Sequence, residues 1–484
     1  MISSSLEASF TSCLITPPST SIIDPIQEQI HAFPLPHDLV NIIGTWLLPS
    51  KQNAIPDELN HLFTCLPSNY RNAFVTYLFE TRNITSLLHT LRAHNNEANK
   101  SPWYASVKKI GHLFQGLDIP IQNPTELFPN IKVINFLNYS ITQSEFASLR
   151  DCKHIEELAY TIRDGHTYTI FLSYLVSIKR LTINCPSAHD LAKSTINKLL
   201  STVAALPLLE SFQTNLRLYQ SALENLTASS TLKKLHFHLS SSTIIDPYVL
   251  QAFTNKNMLQ LQQLAIYTVP DVPQSITTSD TFISHLGALT NLRSLDLTIS
   301  NLPPTFFSIC GQLQFLEVLK ISNIKKNQGL LMTSLAKLTH LQLFHCTNSV
   351  IDGSHLQSIS KIKNLKCLQF QKIVLHENHD QWTPSFANFS RLTTLSIINM
   401  INPIPYNLIQ RLPMLHSLQS LELHSQFINT AKTLINSLLQ MRSLTSLKIY
   451  FNPLIGYPER SQIWATSLLK LKEKIEKVEM LSLW

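Results

Sequence analysis

Short apolar triplets with the spacing apolar-x-x-apolar-x-apolar return along the chain from about residue 131 onward. The clearest are Leu232/Leu235/Phe237, Leu292/Leu295/Leu297, Leu316/Leu319/Ile321, Leu338/Leu341/Leu343, Leu365/Leu368/Phe370, Leu392/Leu395/Ile397, Leu418/Leu421/Leu423 and Leu444/Leu447/Ile449. Less regular copies are Ile131/Ile134/Phe136, Ile155/Leu158/Tyr160, Ile178/Leu181/Ile183, Leu209/Phe212/Thr214, Leu261/Leu264/Ile266 and Ile475/Val478/Met480. The fourteen copies start 22 to 31 residues apart. Side chains alternate along a strand, so the second and third apolar residues of each copy share a face. The residues between them face solvent. One such coil cannot bury its apolar face alone. A period in the twenties therefore predicts stacked coils whose strands form one parallel sheet.

The segments between triplets carry apolar residues at helical spacing over 195–205, 352–363, 430–442 and 460–474. On its triplets the chain resembles the leucine-rich repeat family over residues 126–484. The resemblance implies an α/β solenoid: a curved horseshoe with a parallel sheet on the concave face, helices on the convex face, about fourteen repeats and a C-terminal cap. The family places Asn or Cys a few residues after the last leucine. Here Cys346 and Asn452 fit, with Ser240 and Ser300 as hydroxyl substitutes, while Tyr139, Ile324, Ile373 and Met400 stand in other copies. The usual asparagine ladder is therefore expected to be largely absent.

The first part of the chain differs. Residues 1–30 are rich in Ser, Thr and Pro and read as a flexible arm. Residues 31–125 read as a helical domain that caps the solenoid, with helices over 37–47, 57–66, 69–80, 84–94 and 102–115. Within it, Leu35, Pro36, Asp38, Leu39, Val40, Ile43 and Leu47 resemble the opening of an F-box. That resemblance implies docking on the Skp1 subunit of a cullin ubiquitin ligase. The second half of an F-box is not visible after residue 50, and the same residues suit an amphipathic helix that begins at a proline.

Composition narrows the function classes. Charged residues make up 14% of the 484, and nine glycines leave little for phosphate-cradling loops. A net charge of +7 is near neutral for this size and does not signal nucleic acid. Seven cysteines in no paired spacing point to reduced thiols in a cytosol. Met1–Glu7 lacks the basic start of a secretory signal, and no apolar run reaches the length of a membrane span. No enzyme motif is present. His376-Glu-Asn-His379 misses the zinc-protease spacing by one residue. No cysteine has Asp two residues later, as a bacterial cysteine ubiquitin ligase would need. No cofactor and no metal are expected, and a monomer is.

Function is expected on the concave face. Its solvent-facing positions are Lys234, His236, His238, Tyr267, Asp296, Lys320, His340, Gln342, Phe344, Gln369, Gln371, Glu422, His424, Lys448 and Tyr450. Tyr267, Phe344 and Tyr450 read as exposed aromatics at equivalent positions, which suits protein recognition. Mixed charges disfavour a nucleic-acid groove. The irregular repeats, abundant Asn, Ile and Lys and scarce Gly resemble type IV secreted leucine-rich repeat effectors of the Legionella type. That resemblance implies a virulence protein delivered into host cytoplasm to bind a host protein there. Without it, the chain reads as cytoplasmic.

Overall fold

The computed structural model describes residues 109–110, 132–140, 147, 149–162, 169–185, 191–239, 249–268, 280–299, 302–325, 328, 331–375, 386–401, 404, 406–425, 431–451 and 470–482. The chain divides into two compact units, and the first, Met1–Phe74 with Ile84–Trp103, lies wholly outside the described residues. So do the arm over 1–30, the F-box-like segment Leu35–Leu47 and His376–His379.

The strands of the second unit run in chain order. They are β1 (Lys109–Ile110), β2 (Val133–Ser140), β3 (Glu157–Thr161), β4 (Arg180–Asn184), β5 (Ser211–Leu218), β6 (Lys234–Leu239), β7 (Gln263–Thr268) and β8 (Ser294–Thr298). Then come β9 (Val318–Ser322), β10 (Leu343–Thr347), β11 (Val350–Ile351), β12 (Cys367–Gln371), β13 (Val374–Leu375), β14 (Thr394–Ile398), β15 (Ser420–Ser425), β16 (Ser446–Phe451) and β17 (Lys477–Ser482). Among the described residues, fifteen of them form one sheet in sequence order, and β11 and β13 form a second, two-stranded one. Every pairing in the large sheet is parallel. Each expected triplet region supplies one strand, and β1 adds another upstream. Helical patterning over 102–115 did not anticipate β1, which pairs Lys109 with Val133.

The core is the triplets themselves. Leu292, Leu295 and Leu297 are fully buried, as are Leu232, Leu235 and Phe237. Each large aliphatic side chain so placed contributes about 1.5–3 kcal/mol before entropy is counted. The return segments close this core from the other side with short α and 3-10 helices. Helix Lys193–Ala204, the longest among the described residues, buries Ile196, Leu199, Leu200 and Val203. Leu331–Lys337 is 3-10 throughout. A 3-10 turn rises about 2.0 Å per residue against 1.5 Å for an α-helix, so it spans a compact coil with fewer residues.

One copy of the repeat sits three residues later than its leucines suggest. Leu343 pairs with Val318 and Cys367, and Phe344 pairs with Leu319 and Leu368. The working triplet is therefore Leu341/Phe344/Cys346, all fully buried, and not Leu338/Leu341/Leu343. Two apolar triplets overlap here, and stacking selects the one that keeps the backbone ladder in step. The amides of Gln342 and Leu343 both donate to the carbonyl of Glu317, as those of Lys366 and Cys367 do to Gln342.

The coils are tied together on both sides of the sheet. On the exit side, Asn323, Asn348, Lys372 and Asn399 occupy the same place in four successive coils, each with positive φ between 47° and 59°. Their conformation lets the Asn323, Asn348 and Lys372 amides donate to Thr347, Gln371 and Ile398 of the next coil. Asparagine tolerates this left-handed conformation better than most residues, which explains three of the four. Lysine has no such advantage. Lys372→Gly is expected to raise unfolding free energy by about 0.5–1 kcal/mol, read as a higher urea midpoint at unchanged slope.

On the entrance side, the residue just before the first leucine of a coil bonds to a carbonyl of the previous coil. Asn291 Nδ2 donates to Leu259 O at 2.9 Å and Asn364 Nδ2 to Thr339 O at 2.5 Å. The hydroxyls of Ser417 and Ser443 donate to Ser390 O and His416 O at 2.6 Å each. His340 belongs to this series, with Nδ1 2.9 Å from Gln314 O. A carbonyl only accepts, so that nitrogen carries the proton. A polar ladder thus ties the coils at the edge opposite the exit-side asparagines.

Candidate functional site

The strand register places one row of side chains across the solvent face of the sheet. From β5 to β17 it reads Gln213, His236, Ala265, Asp296, Lys320, His345, Gln369, Ser396, Glu422, Lys448 and Glu479. Strand alternation puts these residues opposite the buried triplets, and strand spacing brings neighbours about 4.8 Å apart. A second row contains His238, Tyr267 and Thr298, and further on Thr347 and Gln371.

The centre of these rows is a compact polar cluster. The rings of His238 and Tyr267 lie 5.3 Å apart, tilted by 39°. Tyr267 Oη donates to Asp296 Oδ2 at 3.2 Å, and the Thr298 hydroxyl reaches Asp296 Oδ1 at 3.5 Å. Burial, with help from the Asp296 charge, pushes the Tyr267 hydroxyl up to about 12, so it stays a donor. His345 hydrogen-bonds the Gln371 side chain. Lys320 lies between Asp296 and His345 in the row.

The C-terminal end of the row is self-neutralised. The buried Ser396 hydroxyl donates to Glu422 at 2.7 Å. Glu479 takes Lys477 at 2.9 Å and Lys448 at 3.7 Å. Lys448 also lies 5.3 Å from the Tyr450 ring centre. Toward the N-terminus, charges alternate along the sheet's entrance edge. Glu156 binds both Lys132 and Lys179, Glu210 binds Lys233, and Glu317 binds Arg293. Its two lysines hold Glu156 down at about 2.

Three imidazoles of the cluster titrate below their ordinary value. Half-burial penalises the charged ring of His236, His238 and His345. Lys320 adds repulsion at His236 and His345, Lys234 adds more at His236, and Asp296 partly opposes these cations. The sign follows. As pH falls below the ordinary value of 6.5, the unfolded chain takes up protons that the folded chain refuses. Stability is then lost from that point down to the lowered folded values. Melting temperature measured between about pH 7.5 and pH 5.5 should fall, and His236→Gln with His345→Gln should flatten that slope.

Most expected site residues reach the solvent face, and three do not. Lys234, His236, His238, Tyr267, Asp296, Lys320, Gln369, Gln371, Glu422, Lys448 and Tyr450 take the rows expected of them, and the backbone of His424 pairs with Tyr450. Phe344 is instead fully buried, because the register shift turns it into the core. It is therefore not equivalent to Tyr267 and Tyr450. His340 is spent on the entrance ladder. Gln342 precedes β10, where its carbonyl accepts two amides of the next coil. His345 was missed for the same reason. The signal for it was present: Leu316, Leu341 and Leu365 are spaced by 25 and 24 residues, more evenly than the 22 and 27 that Leu338 gives.

Chemically the cluster offers donors, acceptors, a cation and an aromatic on a rigid sheet. Among the described residues no three His, Cys, Asp or Glu side chains are grouped to hold a metal, and no helix is long and apolar enough to cross a membrane. Cys152, Cys185, Cys310 and Cys346 are buried, and Cys367 is half-exposed on the solvent face beside this cluster.

No family model matches this chain, and no curated protein sequence does. Solved structures do. An internalin from Listeria monocytogenes matches with 14% identity over 85% of this chain and 92% of its own, at a TM-score of 0.32. A leucine-rich repeat protein from Leptospira interrogans matches with 15% identity over 79% and 97%, at 0.35. A TLR13 chain, solved in complex with a single-stranded RNA, matches with 16% identity over 69% and 55%, at 0.40. The architecture rests on the chain's own register: one parallel sheet in sequence order, one strand per leucine triplet, is a leucine-rich repeat solenoid.

Proposed function

We propose that this chain is a non-enzymatic binding protein, a bacterial effector that engages a host protein through the solvent face of its sheet. The observation that carries this reading is the central cluster of His236, His238, Tyr267, Asp296, Lys320 and His345. It combines an aromatic, imidazoles and a cation on adjacent strands, where the backbone ladder fixes their spacing. Such preorganised polar and aromatic surfaces suit protein recognition, since little entropy is lost on docking. Delivery into host cytoplasm by a type IV system belongs to the same reading and rests on the resemblance to Legionella-type effectors. A second reading, a substrate adaptor, rests on Leu35, Pro36, Leu39, Ile43 and Leu47, which resemble an F-box opening and would recruit Skp1.

Affinity capture from host-cell lysate with the full chain separates the two. The first reading expects a host protein whose recovery falls with Tyr267→Ala and Lys320→Glu but not with Leu35→Ala plus Pro36→Ala. The adaptor reading expects Skp1 to be recovered and lost with the Leu35/Pro36 pair. Recovery of every partner unchanged by the sheet variants would remove the solvent face from the account.

A further inference from the structure

The solvent face is electrostatically lopsided at its centre. Its acids are already engaged: Asp296 by Tyr267 and Thr298, Glu422 by Ser396, Glu479 by Lys477 and Lys448. Its central cations are not. Among the described residues, Lys234 and Lys320 make neither an ion pair within 4.0 Å nor a hydrogen bond. Lys320 is also partly buried, in the middle of the row, so part of its hydration is already lost. Beside it stand His345, neutral at physiological pH, and then Gln369, whose amide can donate.

We infer that Lys320, with His345 and Gln369 beside it, is a receptor for a carboxylate on an acidic segment of the partner protein. The inference rests on the solvent-face reading above and adds the chemistry of the partner. An aspartate or glutamate seated here gives Lys320 a direct ion-pair partner; Asp296 on the neighbouring strand forms no ion pair with it within 4.0 Å. The incoming carboxylate takes a hydrogen bond from the Gln369 amide and, when His345 is protonated, one from the imidazole N–H that the Gln371 side chain does not take. A basic segment finds no free acid at the centre. A partly desolvated ion pair is stronger than one at an exposed rim, because less water screens it. The carboxylate also favours the charged form of His345, so binding tightens as pH falls toward that group's lowered value. The other charges facing His345 are Lys320 and Asp296, which act in opposite directions on it.

The test uses the full chain against an immobilised array of short random-sequence peptides and against single-stranded RNA. Bound peptides should be enriched in Asp and Glu, and their affinity should fall with added salt. Lys320→Glu should weaken them by about tenfold or more, Lys320→Arg should preserve binding, and Lys361→Glu, on an exposed turn off the sheet, should change nothing. The same samples, alkylated and mapped by mass spectrometry, should show Cys367 protected by bound peptide. Peptides that protect Cys367 but show no acidic preference and ignore Lys320→Glu would overturn the carboxylate receptor and leave the solvent-face reading standing. Peptides that bind without protecting Cys367 would remove both. Tight, sequence-indifferent binding of RNA that Lys320→Glu abolishes, or no selected peptide at all, would also overturn the inference.

Discussion

Replacing Phe344 with alanine is expected to cost about 3–5 kcal/mol of unfolding free energy. The side chain is fully buried between Leu319 of β9 and Leu368 of β12, its partners in register. Alanine would leave a cavity that the parallel ladder on both sides cannot collapse to fill. Leu343→Ala, one residue earlier, is expected to cost under about 1 kcal/mol, since that side chain is half-exposed on the solvent face. The pair is a strong discriminator, because the leucine pattern alone puts Leu343 in the core and Phe344 outside. Urea unfolding of both variants reads the difference. If Leu343→Ala proves the costlier, the register of β10 is wrong, and His345 leaves the proposed site with it.

Removing the Asp352 side chain is the second large effect, at about 2–3 kcal/mol. Asp352 caps helix Gly353–Ile359. Its Oδ1 accepts from Ser354 N at 2.9 Å, Ser354 Oγ at 2.6 Å and His355 N at 3.2 Å. His355 Nδ1 also lies 2.8 Å from it, and His355 is fully buried. Asp352→Ala therefore loses the cap and the carboxylate beside a buried imidazole, which keeps only the backbone N–H of residue 352, 3.2 Å from its Nδ1. Asp352→Asn keeps an acceptor at the same place and should cost much less. Burial raises the Asp352 carboxyl, but hydrogen bonds from Ser354 and His355 and the His355 charge outweigh it and leave it below its ordinary 3.8. The linked stability is thus complete above that value and is lost as pH falls through the lower folded one. Loss of less than about 0.5 kcal/mol in Asp352→Ala, by urea unfolding near neutral pH, would show that the cap is dispensable.

The strands were legible because their signal is local. Each needs only three apolar residues at fixed spacing, and burying them is the main stabilising term of a coil. That is why the weak copies, such as Leu209/Phe212/Thr214, still form strands. The coil at Leu341 was misread because Leu338, Leu341 and Leu343 mimic the motif more closely than Leu341, Phe344 and Cys346 do. Its resolution comes from neighbours, since only one register keeps the carbonyls of Glu317 and Gln342 in step. The entrance ladder was invisible for a related reason. Asn291, His340, Asn364, Ser417 and Ser443 share a position in the repeat, yet nothing local says that the side chain reaches the coil before it. The exit-side asparagines lay one residue away from the family's usual place, so a search at that place passed over them. The cluster itself was half visible. His236, His238, Tyr267, Asp296 and Lys320 followed from alternation, while His345 needed the corrected register.

Alkylation of three cysteines tests the central claim most directly, that the row through His345 faces solvent and Phe344 with Cys346 lies beneath it. Native Cys346 is fully buried, and burial pushes its thiol up to about 12. Native Cys367 is half-exposed, and a His345→Cys substitution places a third thiol in the row. Treated with iodoacetamide at about pH 8.5 and mapped by mass spectrometry, the folded chain should label at 345 and 367 and stay unlabelled at 346 until denaturant is added. Rapid labelling of Cys346 with protection at 345 would contradict the register and, with it, the surface on which the proposed function rests.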